Sequence, residues 1–213
     1  MRANTKLAVL VIITVIVPFI MAATVTAESP GHRSIRGQYA ATGGATCFLA
    51  ACGFDNLVPI NGAYEIMTSS LEAVFTFERD GTGKVSRTGP TVNHTGPPWA
   101  LYPFAGISKD SWEFTYAVGP DGSITLTQVP GSHSGEFISG PQAGMTYKNE
   151  GRNRTGTVSP DGKTIILNGG LPDIITFDPP NLAGCGVSQM ICNSSEVLIW
   201  QHNIHRPGSL IQR

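Results

Sequence analysis

Charge is scarce in this chain. Only 14% of its 213 residues are charged, against the usual quarter for a soluble domain. Lys+Arg is 14 and Asp+Glu is 15, a formal net charge of −1. That balance excludes the basic footprint of a nucleic-acid binder and a polybasic membrane patch. Long helical patterns are missing as well. The 25 Gly and 15 Pro cut the chain into short pieces, which excludes a helical bundle or a coiled coil. Chemical signatures are equally thin. There is no Walker loop, dinucleotide fingerprint or His-Glu-x-x-His, and Gly131-Ser-His133-Ser-Gly135 puts His where a hydrolase nucleophile would stand. No cofactor is implied.

The one long apolar run, Leu7 to Ile20, follows Arg2 and Lys6 and precedes small Val25 and Ala27. This three-part pattern reads as a secretory signal peptide over residues 1–27, cleaved before Glu28. At 1.5 Å per residue the run spans ~21 Å, short of the ~30 Å hydrocarbon core. The expectation is an exported protein, periplasmic or extracellular, with residues 28–213 as one domain and no membrane span after cleavage. That mature part keeps 12 positive and 15 negative residues, a formal −3.

Export bears on the cysteines, because an even number in an oxidising compartment implies disulfides. Cys47 and Cys52 lie five apart and Cys185 and Cys192 seven apart. Three connectivities are open, and the local pairing Cys47–Cys52 with Cys185–Cys192 is the expected one because it closes the smallest loops. The spacings are not those of a zinc knuckle, and no metal is expected. His202 and His205, three apart beside the last strand, read as solvated terminal residues.

What the sequence does have is a strand pattern. Three segments share a design of strand, Asp-Gly, strand, around Asp80-Gly81, Asp121-Gly122 and Asp161-Gly162. Asp-Gly signals a tight hairpin because the turn needs φ > 0, which Gly adopts without steric cost. The flanks alternate with period 2. Trp112, Phe114, Tyr116 and Val118 fall on one side, Phe75 and Phe77 on one side, and Ile124 and Leu126 on one side, as in antiparallel strands with one buried face. Further strands are expected at 35–42, 84–92, 134–138, 155–159, 174–177 and 197–202. The best helical candidate is the stretch from Ala63 to Leu71. The fold class is therefore all-β, and a single antiparallel up-and-down β-barrel of about 8–10 strands ranks ahead of a sandwich or a four-bladed propeller. Closure is what leaves consecutive hairpins without edges.

Acid pairs offer no catalytic set. Glu72 and Glu78, six apart on one strand, are separated by ~20 Å. Glu113 reads as solvent-facing, and the three turn Asp residues are explained by their turns. Asn-x-Ser/Thr sequons at Asn93, Asn153 and Asn193 matter only in a glycosylating host.

The strand Arg36-Gly37-Gln38-Tyr39-Ala-Ala-Thr42-Gly43 resembles the Gly-x-Trp that opens lipocalins, with Tyr39 in place of Trp. Trp200 followed by Arg206 is similar to their closing strand, while the Thr-Asp-Tyr element is missing. Gly37-x-Tyr39 with Cys47, Phe75-Thr-Phe-x-x-Asp80-Gly81, Phe114-Thr-Tyr116 before Pro120-Asp-Gly122, Ser139-Gly-Pro141 and the final Cys192 together resemble a group of exported bacterial proteins. The resemblance implies a lipocalin-like barrel outside the cytoplasm and no particular activity.

Two segments read as candidate lips of a barrel mouth: residues 94–104, with Trp99, Tyr102 and Phe104 stiffened by three prolines, and residues 54–60. The expected function is binding of a small, largely apolar or aromatic ligand by Phe75, Phe77, Trp112, Phe114 and Tyr116 inside and Trp99, Tyr102 and Phe104 at the mouth. An eight-stranded barrel has room for about one such molecule. The alternatives are a filled barrel acting as a structural or protein-interaction module and, third, an enzyme of propeller-hydrolase or barrel-isomerase type.

Overall fold

The computed structural model describes residues 35–50, 52–60, 65–94, 105–149, 151–169, 173–178 and 188–202. They form the strands β1 (Gly37–Ala50), β2 (Phe54–Asp55), β3 (Val58–Pro59), β4 (Glu65–Phe77), β5 (Thr82–His94), β6 (Ala105–Val118), β7 (Ser123–Gln128), β8 (Ser134–Phe137), β9 (Thr146–Asn149), β10 (Asn153–Val158), β11 (Thr164–Gly169), β12 (Asp173–Asp178) and β13 (Gln189–Trp200). Apart from the small β2–β3 hairpin, all belong to one antiparallel sheet that closes through β1–β13.

Closure follows the chain order once the short strands are joined end to end. β6 pairs with β7 through Phe114–Val118 and with β8 through Ser108–Ser111, so β7 and β8 are two halves of one stave. In the same way β9 and β10 continue one another, and so do β11 and β12, which share β13. The result is an up-and-down barrel of eight staves, of which three consecutive ones are broken at mid-height. The breaks fall at Pro130-Gly131, at Gly151 and between Gly169 and Asp173; at the first two, Gly permits positive φ and Pro130 cannot donate to a ladder. Gly131 and Gly151 have φ of 74° and 80°.

The two ends differ. At one end, the turn end, the three Asp-Gly turns join β4–β5, β6–β7 and β10–β11, with Gly81, Gly122 and Gly162 at φ of 82°, 81° and 70°. Each Asp caps its own turn: Oδ1 of Asp80, Asp121 and Asp161 accepts from the backbone N–H of Thr82, Ser123 and Lys163, each at 3.0 Å. Those bonds, first among them the side-chain bonds from Thr82 and Ser159, hold Asp80 and Asp161 below the usual carboxylate range. The other end, the loop end, carries the longer connections: β1–β4, β5–β6, β8–β9 and β12–β13.

Two expectations are corrected here. Residues 65–71 begin β4 instead of a helix: Glu65, Met67 and Leu71 point inward and Ile66 outward, because this segment pairs with β1 from Glu65 to Phe77. The local pairing of Cys47 with Cys52 and of Cys185 with Cys192 is also replaced. Cys47 and Cys192 face each other across the β1–β13 seam and are joined, since closure of the barrel brings together residues 145 apart in sequence. Cys52 is disulfide-bonded as well, with its partner outside the described residues.

Candidate functional site: a charged layer across the barrel

Inward side chains sort into three levels. At the turn end Tyr39, Phe75, Phe77, Trp112, Phe114, Ile124, Leu126, Ile165, Leu167 and Leu198 form one apolar cluster. Its rings touch one another, with centroids 5.1 Å apart for Phe77–Tyr116, 5.3 Å for Phe77–Phe114 and 5.4 Å for Trp112–Phe114. The Tyr39 hydroxyl donates to the Gly162 carbonyl at 2.7 Å, tying the cluster to a turn. At the loop end Cys47, Leu49, Met67, Phe137, Tyr147, Ile175, Phe177, Met190 and Cys192 form a second cluster.

Between them lies a layer of buried charge. Arg87, Asp110, Arg152, Arg154, Asp173 and Glu196 all project into the barrel, with side chains 2–7% exposed. Period 2 puts them there. Arg87 is two residues beyond Val85, Asp110 two before Trp112, Asp173 two before Ile175, and Glu196 two before Leu198. Arg87 and Asp110 are direct cross-strand partners. The Arg87 guanidinium donates from Nε and Nη2 to both oxygens of Asp110, at 2.8 and 2.6 Å, and from Nη1 to Glu196 Oε1 at 3.2 Å. On the opposite wall Arg154 Nη2 donates to Asp173 Oδ2 at 2.7 Å, while Arg152 Nε sits 3.1 Å from the same oxygen. The Arg152 guanidinium carbon lies 5.6 Å from the Trp112 ring centroid, a cation–π contact that joins the layer to the aromatic cluster.

The broken staves supply half of this layer. Two residues past Gly131 at the first break stands His133, next after Gly151 at the second stands Arg152, and the first residue of β12 beyond the third is Asp173. His133 is buried, its Nδ1 accepts from Asn149 N–H at 3.2 Å, and its Nε2 stands 3.9 Å from Asp110 Oδ2. Burial, opposed by Asp110 and reinforced by Arg152 and Arg87, pushes its pKa down to about 4, so the ring is neutral at pH 7. Burial also works against the charge of Asp110, but Arg87 beside it prevails and holds its pKa down at about 2. Arg87 faces the same burial and is raised above its usual value by Asp110, with Glu196 adding to the effect. Gly43 makes room for this packing. A Cβ there would stand 2.2 Å from the Ser195 carbonyl oxygen and 2.9 Å from Glu196 Cγ.

A cavity of about 50 Å³ lies against the layer on its loop-end side. Arg87, Asp110, Arg152, Arg154 and Asp173 line its floor; Met67, Phe137, Tyr147, Ile175, Met190 and the Cys47–Cys192 bridge line its apolar side; Ala45, Ser69, Ser108 and Ser194, all small, leave the space open. One water needs ~10–15 Å³ by this measure, and a cavity of ~150 Å³ takes benzene. The space therefore suits a few waters or a molecule of about four heavy atoms. Several buried polar atoms have no hydrogen-bond partner among the described residues: Arg152 Nε and Nη1, Arg154 Nε, Ser194 Oγ and Glu196 Oε2.

Of the residues expected to hold a ligand, Phe75, Phe77, Trp112, Phe114 and Tyr116 come together, packed mainly on one another in the turn-end cluster. None of them lines the cavity. Trp99, Tyr102 and Phe104 lie outside the described residues; their connection leaves β5 at His94 and enters β6 at Ala105, at the loop end. Glu72, Glu78 and Glu113 are exposed, and so is His202, while Asn93 points inward and donates to the Glu65 carboxylate. Among the described residues no group of three His, Cys, Asp or Glu could hold a metal ion. No described helix is long and apolar enough to cross a membrane.

No protein-family model and no curated protein sequence matches the chain. Among solved structures, the enduracididine biosynthesis enzyme MppR, complexed with the condensation product of pyruvate and imidazole 4-carboxaldehyde, aligns over 81% of this chain and 90% of its own at 11% identity and a TM-score of 0.15. That TM-score carries no argument.

Proposed function

We propose that this protein is an exported barrel that binds a small, partly apolar ligand, entering at the loop end and seated on the charged layer. The observation that carries the reading is the cavity itself, bounded by small residues, apolar on one side and charged on the other. The architecture supports it: tight turns and packed rings fill one end, whereas the long connections, including the proline- and aromatic-rich 94–104, gather at the end where the cavity lies. Binding sites favour loops held by a rigid scaffold and the mouths of β-barrels. Export is supported by the N-terminal apolar pattern and the disulfide-bonded cysteines. The ligand differs from the one expected from sequence in its seat. The rings of Phe75, Phe77, Trp112 and Phe114 occupy their own end of the barrel, so the ligand's apolar part lies instead against Met67, Phe137, Ile175 and Met190.

The test is native mass spectrometry of the full chain expressed with its N-terminal segment and purified without detergent. The expected result is a polypeptide beginning at Glu28 that carries an extra mass, released on denaturation and absent from Ser69→Leu, which fills the cavity without touching an ion pair. A bare mass in every preparation would overturn the reading and favour the filled barrel.

A further inference from the structure

We propose that the Arg152 edge of the cavity is a carboxylate subsite, so that the ligand is a small organic acid held by its anionic group with its carbon end toward the loop-end apolar cluster. This rests on the binding reading above and names its ligand class. On one side Arg87 faces two carboxylates, Asp110 and Glu196; on the other, Arg152 and Arg154 share the single oxygen Asp173 Oδ2. The layer as a whole balances, three guanidiniums to three carboxylates, but its charge is unevenly spread: the side with Arg152 and Arg154 has one carboxylate in close contact, and Glu196 Oε2 stands 4.0 Å from Arg154 Nε.

That side also has an unpaired donor. Arg152 is 2% exposed and lines the cavity; its Nε lies 3.1 Å from Asp173 Oδ2, while its Nη1 has no hydrogen-bond partner among the described residues. A buried guanidinium carries five donors and wants acceptors in its plane. Trp112 covers one face of it, so its remaining donors lie at its edge. Burial and then the neighbouring Arg87 push the Arg152 pKa down to about 10, against the opposing pull of Asp173 and Asp110. A carboxylate supplies the acceptor that Nη1 lacks, and Ser194 Oγ, also without a partner, is a further donor at the cavity wall. The apolar side of the same cavity selects an organic acid over an inorganic anion.

Acetate and acetamide are the probes, since both have four heavy atoms and only one is charged. Each is titrated by calorimetry and by ligand-observed NMR, into the millimolar range, against the full mature chain. Acetate is expected to bind at least about tenfold more tightly, the effect of a charge-assisted over a neutral contact. Arg152→Gln should remove that preference, and Ser69→Leu should abolish binding of both probes. Equal binding of acetate and acetamide to the unsubstituted protein would overturn the carboxylate subsite and leave the binding cavity standing. Binding of neither would overturn the subsite, and the native mass then decides the broader reading separately. Acetate binding that survives Ser69→Leu would locate it elsewhere and also overturn the proposal. Should Arg152→Gln fail to fold, the comparison in unsubstituted protein and the Ser69→Leu control still decide.

Discussion

Acid should loosen this barrel in two stages, and the first belongs to His133. Its pKa is 6.5 in the unfolded chain and about 4 when buried beneath Arg152 and Arg87. Between those values the unfolded chain binds a proton that the folded one refuses. Stability is therefore full above pH 6.5 and falls as pH drops toward 4. At 1.36 kcal/mol per pH unit the complete loss is about 3 kcal/mol, of which about 2 kcal/mol is gone by pH 5. Asp110, Arg87 and Arg152, which face the ring, keep their charge across that window, which isolates the imidazole from them. The assay is urea unfolding followed by tryptophan fluorescence at pH 7, 6, 5 and 4.5, on the parent protein and on His133→Gln. Gln retains an acceptor for Asn149 N–H and does not titrate. The difference in unfolding free energy between the two proteins should change by about 2 kcal/mol from pH 7 to 5. Parallel curves for parent and variant would refute the reasoning. The second stage belongs to Asp110, whose lowered pKa, about 2 against an ordinary 3.8, contributes stability that is present above about pH 4 and lost as pH falls toward 2.

Breaking the buried pair from one side should cost more than removing it. Arg87→Met leaves Asp110 and Glu196 without their shared guanidinium and is expected to destabilise by about 3–5 kcal/mol, read from the same urea transitions. The disulfide across the β1–β13 seam should also show in stability. Cys47→Ala with Cys192→Ala is expected to lower unfolding free energy by about 2–4 kcal/mol, and an unchanged midpoint would refute the seam as a constraint.

Much of the architecture was legible. The Asp-Gly pairs at 80–81, 121–122 and 161–162 gave three hairpins, and alternation around Trp112, Phe75 and Ile124 gave inward faces; both depend only on neighbours in sequence. Three things depended on more. Cys47 meets Cys192 only because the last stave returns to the first, so loop size was the wrong guide. Residues 65–71 have no Gly or Pro and a mixed apolar pattern, and only pairing with β1 makes them a strand. The charged layer is hidden for a different reason. Charge ordinarily faces water, and apolar alternation ends at the first charge. Continued two residues further, it reaches Arg87 from Val85, Asp110 from Trp112 and Glu196 from Leu198. Gly and Pro at 130–131, 151 and 169–172 likewise marked the breaks in the staves, although nothing in sequence said that the three breaks share a level.

That shared level bears on why the layer exists. Six buried charges do not arise from a demand for stability, because desolvating such pairs offsets most of their attraction, and apolar residues of similar size are commonly as stable or more so. The barrel has the means for an apolar middle: its two ends are packed with Phe, Trp, Leu, Ile and Met. Instead, three adjacent staves give up ladder continuity at one height, and each delivers an ionisable side chain there. Around the cavity beside that layer stand Ala45, Ser69, Ser108 and Ser194, where bulkier side chains would close the space. A purely structural ion layer has no use for that room, since open space beside a charge adds the loss of packing to the cost of desolvation. Charge on the floor, small residues around it and a cavity above them are the arrangement of a seat. The Ser69→Leu substitution separates the two accounts, because it should stabilise a barrel whose layer is only structural and empty one whose layer is a floor for a ligand.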